Sequence, residues 1–237
     1  MRVLRNGNAP AFQAGHVGSI PITRSNEYTD IMPGEAFWAS LKNLFGSVIY
    51  MSFYEKQIET ETVYSGLIVN VKMDIAELQN GKRVRREVVE HPGGVCIVAV
   101  TKENKVLLVR QFRYTIKEEM LEIPAGKLER GEDPFECAVR ELAEETGYTA
   151  NEWIDLGVIY PSAGVYSETL HQYIALDLQP GEMHLDENEL LSVEEVDIDE
   201  LVEMILANKI RDAKTIIGVL KAKNYLQNES RSTFHAH

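Results

Sequence analysis

A loop followed by one helix with clear start and stop signals constrains the fold of this chain more than any other feature. Asp133 is a good N-cap residue, Pro134 suits the first helical position, and Glu136 completes a capping-box pattern. Gly147 can adopt the positive φ that is often needed directly after a helix. The sequence therefore predicts a helix over residues 134 to 146, with a glycine-containing loop before it.

The side chains of this helix divide into an apolar face and an acidic face. The apolar face, which we expect to pack on a sheet, contains Phe135, Ala138, Val139 and Leu142. Glu141, Glu144 and Glu145 are neighbours on another face, where their charges repel and the helix macrodipole also disfavours them. One interpretation is a solvated acidic surface, and the other is a site where oxygen ligands bind divalent cations. Arg140 can form an ion pair with Glu136 or Glu144 and so help to hold the cluster.

From Met51 onward the chain alternates apolar runs with turns, and the turn at residues 79 to 82 separates the first two runs. Predicted strands, rich in β-branched and aromatic residues, are Thr60 to Val71, Lys82 to Glu90, Gly94 to Val100, Lys105 to Val109, Trp153 to Ile159 and Leu170 to Leu178. Predicted helices, from apolar residues at helical spacing, are Asp199 to Ala207 and Arg211 to Lys223. This order of elements predicts a mixed α/β sandwich.

Composition and charge exclude several classes of protein. A net charge of −13 disfavours binding to nucleic acid, whose phosphate backbone requires a basic surface. No stretch approaches the ~18 consecutive apolar residues that a membrane span needs. Cys96 and Cys137 lie in apolar or helical contexts without metal-ligand spacing, so we expect reduced, buried thiols in a cytoplasmic protein.

Residues 1 to 50 differ from the rest of the chain and show no sustained periodicity. One back-translation of Val17 to Pro21 contains GGTTCGATTCC, a pattern of the transfer-RNA T arm. We therefore hypothesise that the start codon is placed too far upstream and that the biological start is Met51. The alternative is a native flexible extension in which residues 35 to 50 form an amphipathic helix. An intact mass from the native host that included residues 1 to 50 would contradict the hypothesis.

The loop and helix together resemble the Nudix box. Gly126 is followed after five residues by Glu132, and after seven more by Arg140-Glu-Leu-x-Glu-Glu-x-Gly-Tyr148. The resemblance implies a Nudix-type α/β/α sandwich and a Mg²⁺- or Mn²⁺-dependent hydrolase of a nucleoside diphosphate linked to another group. By position, the implied metal ligands are the Ala125 carbonyl, Glu141, Glu144 and Glu145. The implied structural supports of the box are Gly126, Glu132, Arg140 and Gly147.

Segments outside the box are similar to the ADP-ribose pyrophosphatase branch of this superfamily. These segments are Arg86 to Gly94, Leu108 to Arg113, Leu121 to Gly126, Tyr160 to Gly164 and Asp186 to Glu189. The resemblance implies that Arg113 contacts the diphosphate and that Arg86 helps to bind the nucleotide. It also implies Glu187 as the general base, with Glu189 as the alternative, and Glu168 as an acidic residue near the metals.

The expected reaction is hydrolysis of ADP-ribose, a small-molecule substrate, to AMP and ribose 5-phosphate. One position departs from the pattern: such enzymes tend to have Pro sixteen residues after the last glycine of the box, and this chain has Ala163. The alternatives are a hydrolase of another nucleoside diphosphate sugar, such as GDP-mannose, and a non-catalytic ligand sensor of the same fold.

The resemblance also implies a homodimer in which an N-terminal antiparallel sheet takes part. After the misplaced start or extension at 1–50, the expected organisation is an N-terminal sheet at 51–93 that contributes to the dimer and to substrate binding. A catalytic domain follows at 94–227, and a frayed polar tail at 228–237.

Overall fold

Ten strands and three helices form in residues 53–185 and 190–234, which are the residues that the computed structural model describes. The strands are β1 (Glu55–Ser65), β2 (Asn70–Leu78), β3 (Arg83–Glu90), β4 (Gly94–Ala99), β5 (Lys105–Arg113), β6 (Glu118–Glu122), β7 (Ala125–Lys127), β8 (Tyr148–Ile159), β9 (Leu170–Pro180) and β10 (Leu191–Asp197). The helices are α1 (Pro134–Thr146), α2 (Ile198–Leu206) and α3 (Ala213–Phe234). This order confirms the predicted mixed α/β class.

The strands form three sheets. β1, β2 and β3 form an antiparallel sheet in that order, and the turn at residues 79–82 joins β2 to β3 as predicted. β5 lies between β10 and β6 in a second antiparallel sheet. The third sheet has the order β7-β4-β9-β8, in which β4 and β9 are parallel and the other pairs are antiparallel. The short strand β7 lies at the edge of this third sheet and leads into the loop before α1.

Strand β4 is buried along its whole length and separates two halves of the core. Successive side chains of a strand point to opposite faces. On one face Ile97 packs in a cluster with Leu142 of α1, whose complete burial contributes about 1.5–3 kcal/mol. On the other face Val98 packs in a cluster with Leu201 of α2 and Val219 of α3. One helix therefore covers one side of the strand and two helices cover the other, which confirms the α/β/α sandwich.

Helix α1 begins and ends where its sequence signals predict. The Asp133 carboxylate accepts hydrogen bonds from the backbone N–H groups of Phe135 at 2.9 Å and Glu136 at 3.2 Å. An N-cap of this kind contributes about 1 kcal/mol. At the other end Gly147 has φ 73°, and its N–H donates to the Ala143 carbonyl at 2.9 Å. Local interactions alone therefore place this helix at its predicted bounds.

Among the elements that differ from their predicted bounds are one strand and one helix with a clear local reason. The prediction of one strand over Thr60 to Val71 is wrong, because a turn at Gly66 divides it between β1 and β2. The Gly66 N–H donates to the Val69 carbonyl at 2.9 Å and closes that turn. Helix α3 continues beyond its predicted end at residue 223 because no Gly or Pro interrupts the segment that follows.

Cys96 and Cys137 are both free and buried, as predicted. None of the helices in the described part of the chain is long and apolar enough to span a bilayer. The first fifty residues, for which a misplaced start or a native extension is predicted, lie outside the described residues.

Candidate active site

The Arg140 guanidinium connects the loop before α1 to the helix. Its Nε and Nη2 atoms donate to the two carboxylate oxygens of Glu132 at 3.0 and 3.1 Å. Glu132 also accepts a hydrogen bond from the backbone N–H of Glu129 at 2.8 Å. These bonds, with Arg140 as the larger cause, lower the pKa of Glu132 to about 2. Glu132 is therefore ionised at neutral pH and holds the loop against the helix.

The same guanidinium bridges two carboxylates of the acidic face. Arg140 Nη1 donates to Glu141 Oε1 and to Glu144 Oε2, each at 2.8 Å. Of the two ion-pair partners predicted for Arg140, the structure has Glu144. It adds Glu132 as a partner, because the loop folds back along the helix. The pKa of Arg140 is raised by Glu132 first and then by Glu141 and Glu144.

The Glu141 carboxylate lies against Gly126 in β7. A Cβ atom at position 126 would lie 1.7 Å from Glu141 Cδ, far closer than nonbonded atoms approach. The Glu141 side chain is only 13% exposed, so the position beside Gly126 is an enclosed one. The glycine therefore leaves the space that this carboxylate occupies.

The Glu145 carboxylate lies against the preceding residue of β7. The backbone N–H of Ala125 donates to Glu145 Oε2 at 2.9 Å, and Glu145 is buried with 3% of its surface exposed. A buried carboxylate is costly unless hydrogen bonds or cations compensate it. Glu141 and Glu145 are one helical turn apart and reach Gly126 and Ala125, which are consecutive residues. The edge strand β7 thus contacts two of the predicted metal ligands.

The predicted ligands fit a hard divalent cation in the type of donor they offer. Carboxylate oxygens of Glu141, Glu144 and Glu145, with the backbone carbonyl of Ala125, are the oxygen donors that Mg²⁺ prefers. Within residues 53–185 and 190–234, no group of three or more His, Cys, Asp or Glu side chains converges closely enough to hold a metal ion. Instead Arg140 is the cation that Glu141 and Glu144 share. The donor atoms are therefore of the type that Mg²⁺ prefers, but the side chains lie next to each other and do not converge on one point.

Arg113, predicted to contact a diphosphate, forms a two-bond ion pair with Glu122 at the end of β6. Its Nε and Nη2 atoms donate to the two oxygens of Glu122 at 2.7 and 2.6 Å. The pKa of Arg113 is raised by this pair, with a smaller contribution from Glu145. The Arg113 side chain is 38% exposed and lies close enough to Glu145 to feel its charge. Its contact with a diphosphate stays a prediction.

Arg86, predicted to help bind the nucleotide, lies on β3 and pairs with Glu55 of β1. Its Nε and Nη2 atoms both donate to the Glu55 carboxylate at 2.8 Å. Arg86 lines an open pocket together with Gly164 and Val165. The turn that departs from the family pattern at Ala163 therefore ends beside the arginine predicted to bind the nucleotide.

Glu168, predicted to lie near the metals, has His91 as its partner. Glu168 Oε1 lies 3.5 Å from His91 Nδ1, and this nitrogen accepts a hydrogen bond from the Gly93 N–H at 3.1 Å. Burial lowers the pKa of His91, and the charge of Glu168 opposes this shift. The place of Glu168 near the metals stays a prediction.

Gly147 has a second role besides ending α1. Its carbonyl accepts a hydrogen bond from the Gly181 N–H at 2.6 Å, and a Cβ at position 147 would lie 3.0 Å from Met183 N. The segment after β9 therefore packs directly on the end of the helix. The predicted general base Glu187 and its alternative Glu189 follow this segment and lie outside the described residues.

A buried ion cluster beside Arg113 was missed by sequence reasoning. Glu122 is 1% exposed and pairs with Lys214 of α3 as well as with Arg113. Burial alone would raise the pKa of Glu122, but Arg113 and Lys214 outweigh it and lower the pKa. Lys214 also pairs with Asp212 at 3.0 Å. A charged residue inside the apolar run 120–123 was a signal for Glu122, whereas its lysine partner is 92 residues away.

An α/β/α sandwich with an acidic helix behind a glycine-containing loop defines the class of domain that the sequence predicted. The NUDIX domain family model matches residues 90–217, more than half of the chain. The chain belongs to this family, and Nudix hydrolases generally use divalent metals.

Several characterised proteins are similar over most of the chain. A methanol dehydrogenase activator of Bacillus methanolicus is 43% identical over 74% of this chain and 94% of its own length. An ADP-ribose pyrophosphatase of Bacillus subtilis is 41% identical over 74% of this chain and 97% of its own length. A GDP-mannose pyrophosphatase of Escherichia coli is more distant, with 32% identity over 67% of this chain and 86% of its own length. The crystal structure of an ADP compounds hydrolase has the same fold, with a TM-score of 0.67 and 23% identity over 75% of this chain and 96% of that one.

Replacing Gly126 by Ala tests the close approach of β7 to Glu141. We expect the affinity for Mn²⁺, measured by isothermal titration calorimetry, to fall about 10- to 100-fold, as for other groups that orient metal ligands. The added methyl displaces a flexible side-chain end, and the φ of Gly126 is not in the left-handed region, so the melting temperature should not fall. Glu141→Gln removes the charge of the ligand and leaves position 126 unchanged. It should lower the affinity for Mn²⁺ by as much. Unchanged Mn²⁺ affinity in Gly126→Ala would show that Glu141 is not held there as a ligand.

Proposed function

We propose that this protein hydrolyses the diphosphate bond of ADP-ribose to AMP and ribose 5-phosphate, with Mg²⁺ or Mn²⁺ as cofactor. The observation that carries the proposal is the placement of Glu141 and Glu145 against Gly126 and Ala125. The substrate is supported by 41% identity with the Bacillus subtilis ADP-ribose pyrophosphatase, of which this chain covers 97%.

The charge of the site supports the use of a cation in the reaction. The substrate is anionic, the chain has a net charge of −13, and Arg140 offsets only part of the charge of the carboxylates around it. Glu141, Glu144, Glu145 and the Ala125 carbonyl would hold the metal. A bound divalent ion supplies neutralisation of the diphosphate and a lower pKa for the attacking water.

The residues of the chain then have separate tasks. Glu132 and Arg140 hold the loop and the acidic helix in one arrangement. Arg113 orients the diphosphate through its planar set of N–H donors. Glu187 accepts the proton of the attacking water, with Glu189 as the alternative, and this assignment is supported by the family resemblance alone.

Two alternatives are less well supported. Hydrolysis of GDP-mannose would use the same carboxylates, but the Escherichia coli GDP-mannose pyrophosphatase is the more distant relative at 32% identity. A non-catalytic sensor would not need the carboxylates of the box, and this chain has all of them. We further propose a cytoplasmic location, which the two free thiols support.

We also propose that the chain forms a homodimer through the sheet β1–β2–β3. β1 is exposed along nearly its whole length, and the exposed apolar side chains of this region are Phe53, Tyr54, Val63, Tyr64, Leu67 and Ile68. A three-stranded sheet with an exposed apolar surface is typically covered by a partner. Sedimentation velocity should give a particle of twice the chain mass, and a monomer at micromolar concentration would contradict the proposal.

A substrate panel tests the proposed reaction. The full chain is incubated with Mg²⁺ and ADP-ribose, GDP-mannose or related nucleoside diphosphate sugars, and the products are separated by chromatography. We expect preferential release of AMP and ribose 5-phosphate. Glu145→Gln should lose about 100-fold or more in kcat, since a catalytic metal contributes several kcal/mol to transition-state stabilisation.

Two controls accompany this panel. Glu136→Gln changes an exposed carboxylate of the same helix and should leave kcat unaltered. A chain that begins at Met51 should be as active as the full chain if residues 1–50 have no part in catalysis. Preferential turnover of GDP-mannose would replace the proposed substrate, and no turnover of any diphosphate would favour the sensor.

A further inference from the structure

The buried cluster of Arg113, Glu122, Lys214 and Asp212 joins the proposed diphosphate-binding arginine to helix α3. Glu122 is 1% exposed and the Lys214 side chain is 11% exposed, so their ion pair is largely shielded from water. Arg113 is the most exposed member of the cluster at 38%. Arg113, the positive group that the substrate could reach, is thus held in place by side chains that are more buried.

Charge determines what this arrangement does for Arg113. A guanidinium that forms two hydrogen bonds with one carboxylate has its charge largely cancelled by that partner. Glu122, however, is shared with a second cation, Lys214. Because Lys214 also draws on Glu122, this carboxylate does not fully cancel the charge of Arg113, which is the most exposed member of the cluster.

Asp212 pairs with Lys214 at 3.0 Å, so the four side chains together are formally neutral, and Asp212 has further partners at the start of α3. It lies directly before α3, where its Oδ2 accepts hydrogen bonds from the Thr215 N–H at 3.0 Å and the Thr215 hydroxyl at 2.6 Å. A helix N-terminus carries partial positive charge that stabilises an anion at this position. Asp212 is thus stabilised by the start of α3 as well as by Lys214, and Lys214 is shared between Asp212 and Glu122.

The cluster also fixes the chain that leads to the proposed metal site. The Ile123 N–H donates to the Thr215 hydroxyl oxygen at 3.0 Å. Two residues later the Ala125 N–H meets Glu145. The segment between Glu122 and Ala125 is therefore held by α3 at one end and by α1 at the other.

We propose that Lys214 is a positioning residue for the reaction: by sharing Glu122 with Arg113, it keeps Arg113 oriented and leaves the charge of Arg113 incompletely cancelled toward the diphosphate. This inference rests on the proposed function, in which Arg113 binds the diphosphate. Lys214 does not touch the substrate and acts only through Glu122 and Arg113.

The test is a double-mutant cycle in the full chain, with KM and kcat for ADP-ribose as the measurements. Lys214→Met should raise KM about tenfold, within the range for coupled neighbouring charges, and leave kcat within about twofold. Lys214→Arg, which restores the charge, should return KM to near the parent value. In an Arg113→Ala background, Lys214→Met should cause no further rise in KM, because the group it acts through is gone.

Lys221→Met is the matched control for a purely structural role. Lys221 is also a partly buried lysine of α3, and it donates to the Leu156 carbonyl and to Gln172 Oε1. We expect Lys221→Met to lower the melting temperature and leave KM unchanged. If Lys214→Met does not fold, Lys214→Gln, which keeps a hydrogen-bond donor and lacks the charge, takes its place.

Several outcomes would overturn the proposal. An unchanged KM in Lys214→Met, or an equal rise in KM in the Arg113→Ala background, would show that Lys214 has only a structural role. If the parent chain cleaves a different diphosphate sugar, the proposed substrate fails and the same cycle with that sugar tests Lys214. If the parent chain cleaves no diphosphate, the proposed function and this inference fail together.

Discussion

The close approach of the Glu141 carboxylate to Gly126 is the contact on which the rest of the site depends. With any side chain at position 126 this carboxylate could not keep its position, since even a Cβ would lie 1.7 Å from Glu141 Cδ. Glu145 accepts a hydrogen bond from the Ala125 N–H. Together the two contacts place the acidic face of α1 directly against an edge strand of the sheet. The position of the helix and of its carboxylates is therefore set by packing, before any ligand binds.

The second constraint is the repulsion between like charges. At two places in the chain, ion pairs with a shared partner offset this repulsion. Arg140 of α1 forms ion pairs with three carboxylates that would otherwise repel each other, and one of them, Glu132, lies in the loop before the helix. Beside the start of α3, Glu122 is buried between Arg113 and Lys214. Breaking one partner of such a buried pair typically costs about 3–5 kcal/mol because an uncompensated charge remains. Both clusters therefore fix their members in place and offset part of their charge.

The parts of the fold that local signals determine could be predicted from the sequence. Helix α1 begins and ends as predicted because Asp133 and Gly147 act on their own neighbours. The prediction of one strand over residues 60 to 71 is wrong, because the apolar pattern of this segment does not reveal the turn at Gly66.

The partners of the site residues could not be predicted because they depend on tertiary contacts. Glu132 reaches Arg140 only after the loop folds back, Arg86 meets Glu55 across a sheet, and Lys214 comes to Glu122 from another helix. The family resemblance thus predicted which side chains form the site, and the fold was needed to show what holds them.

The carboxylates beside Ala125 and Gly126 are proposed to form the metal site. Titration of the isotope-labelled full chain with Mn²⁺, followed by NMR, locates the ion because nearby amide signals broaden first. We expect the signals of Ala125, Gly126, Glu141 and Glu145 to broaden at the lowest Mn²⁺ concentration. Broadening that begins instead around Glu122 and Asp212, or in the sheet β1–β2–β3, would contradict this proposal.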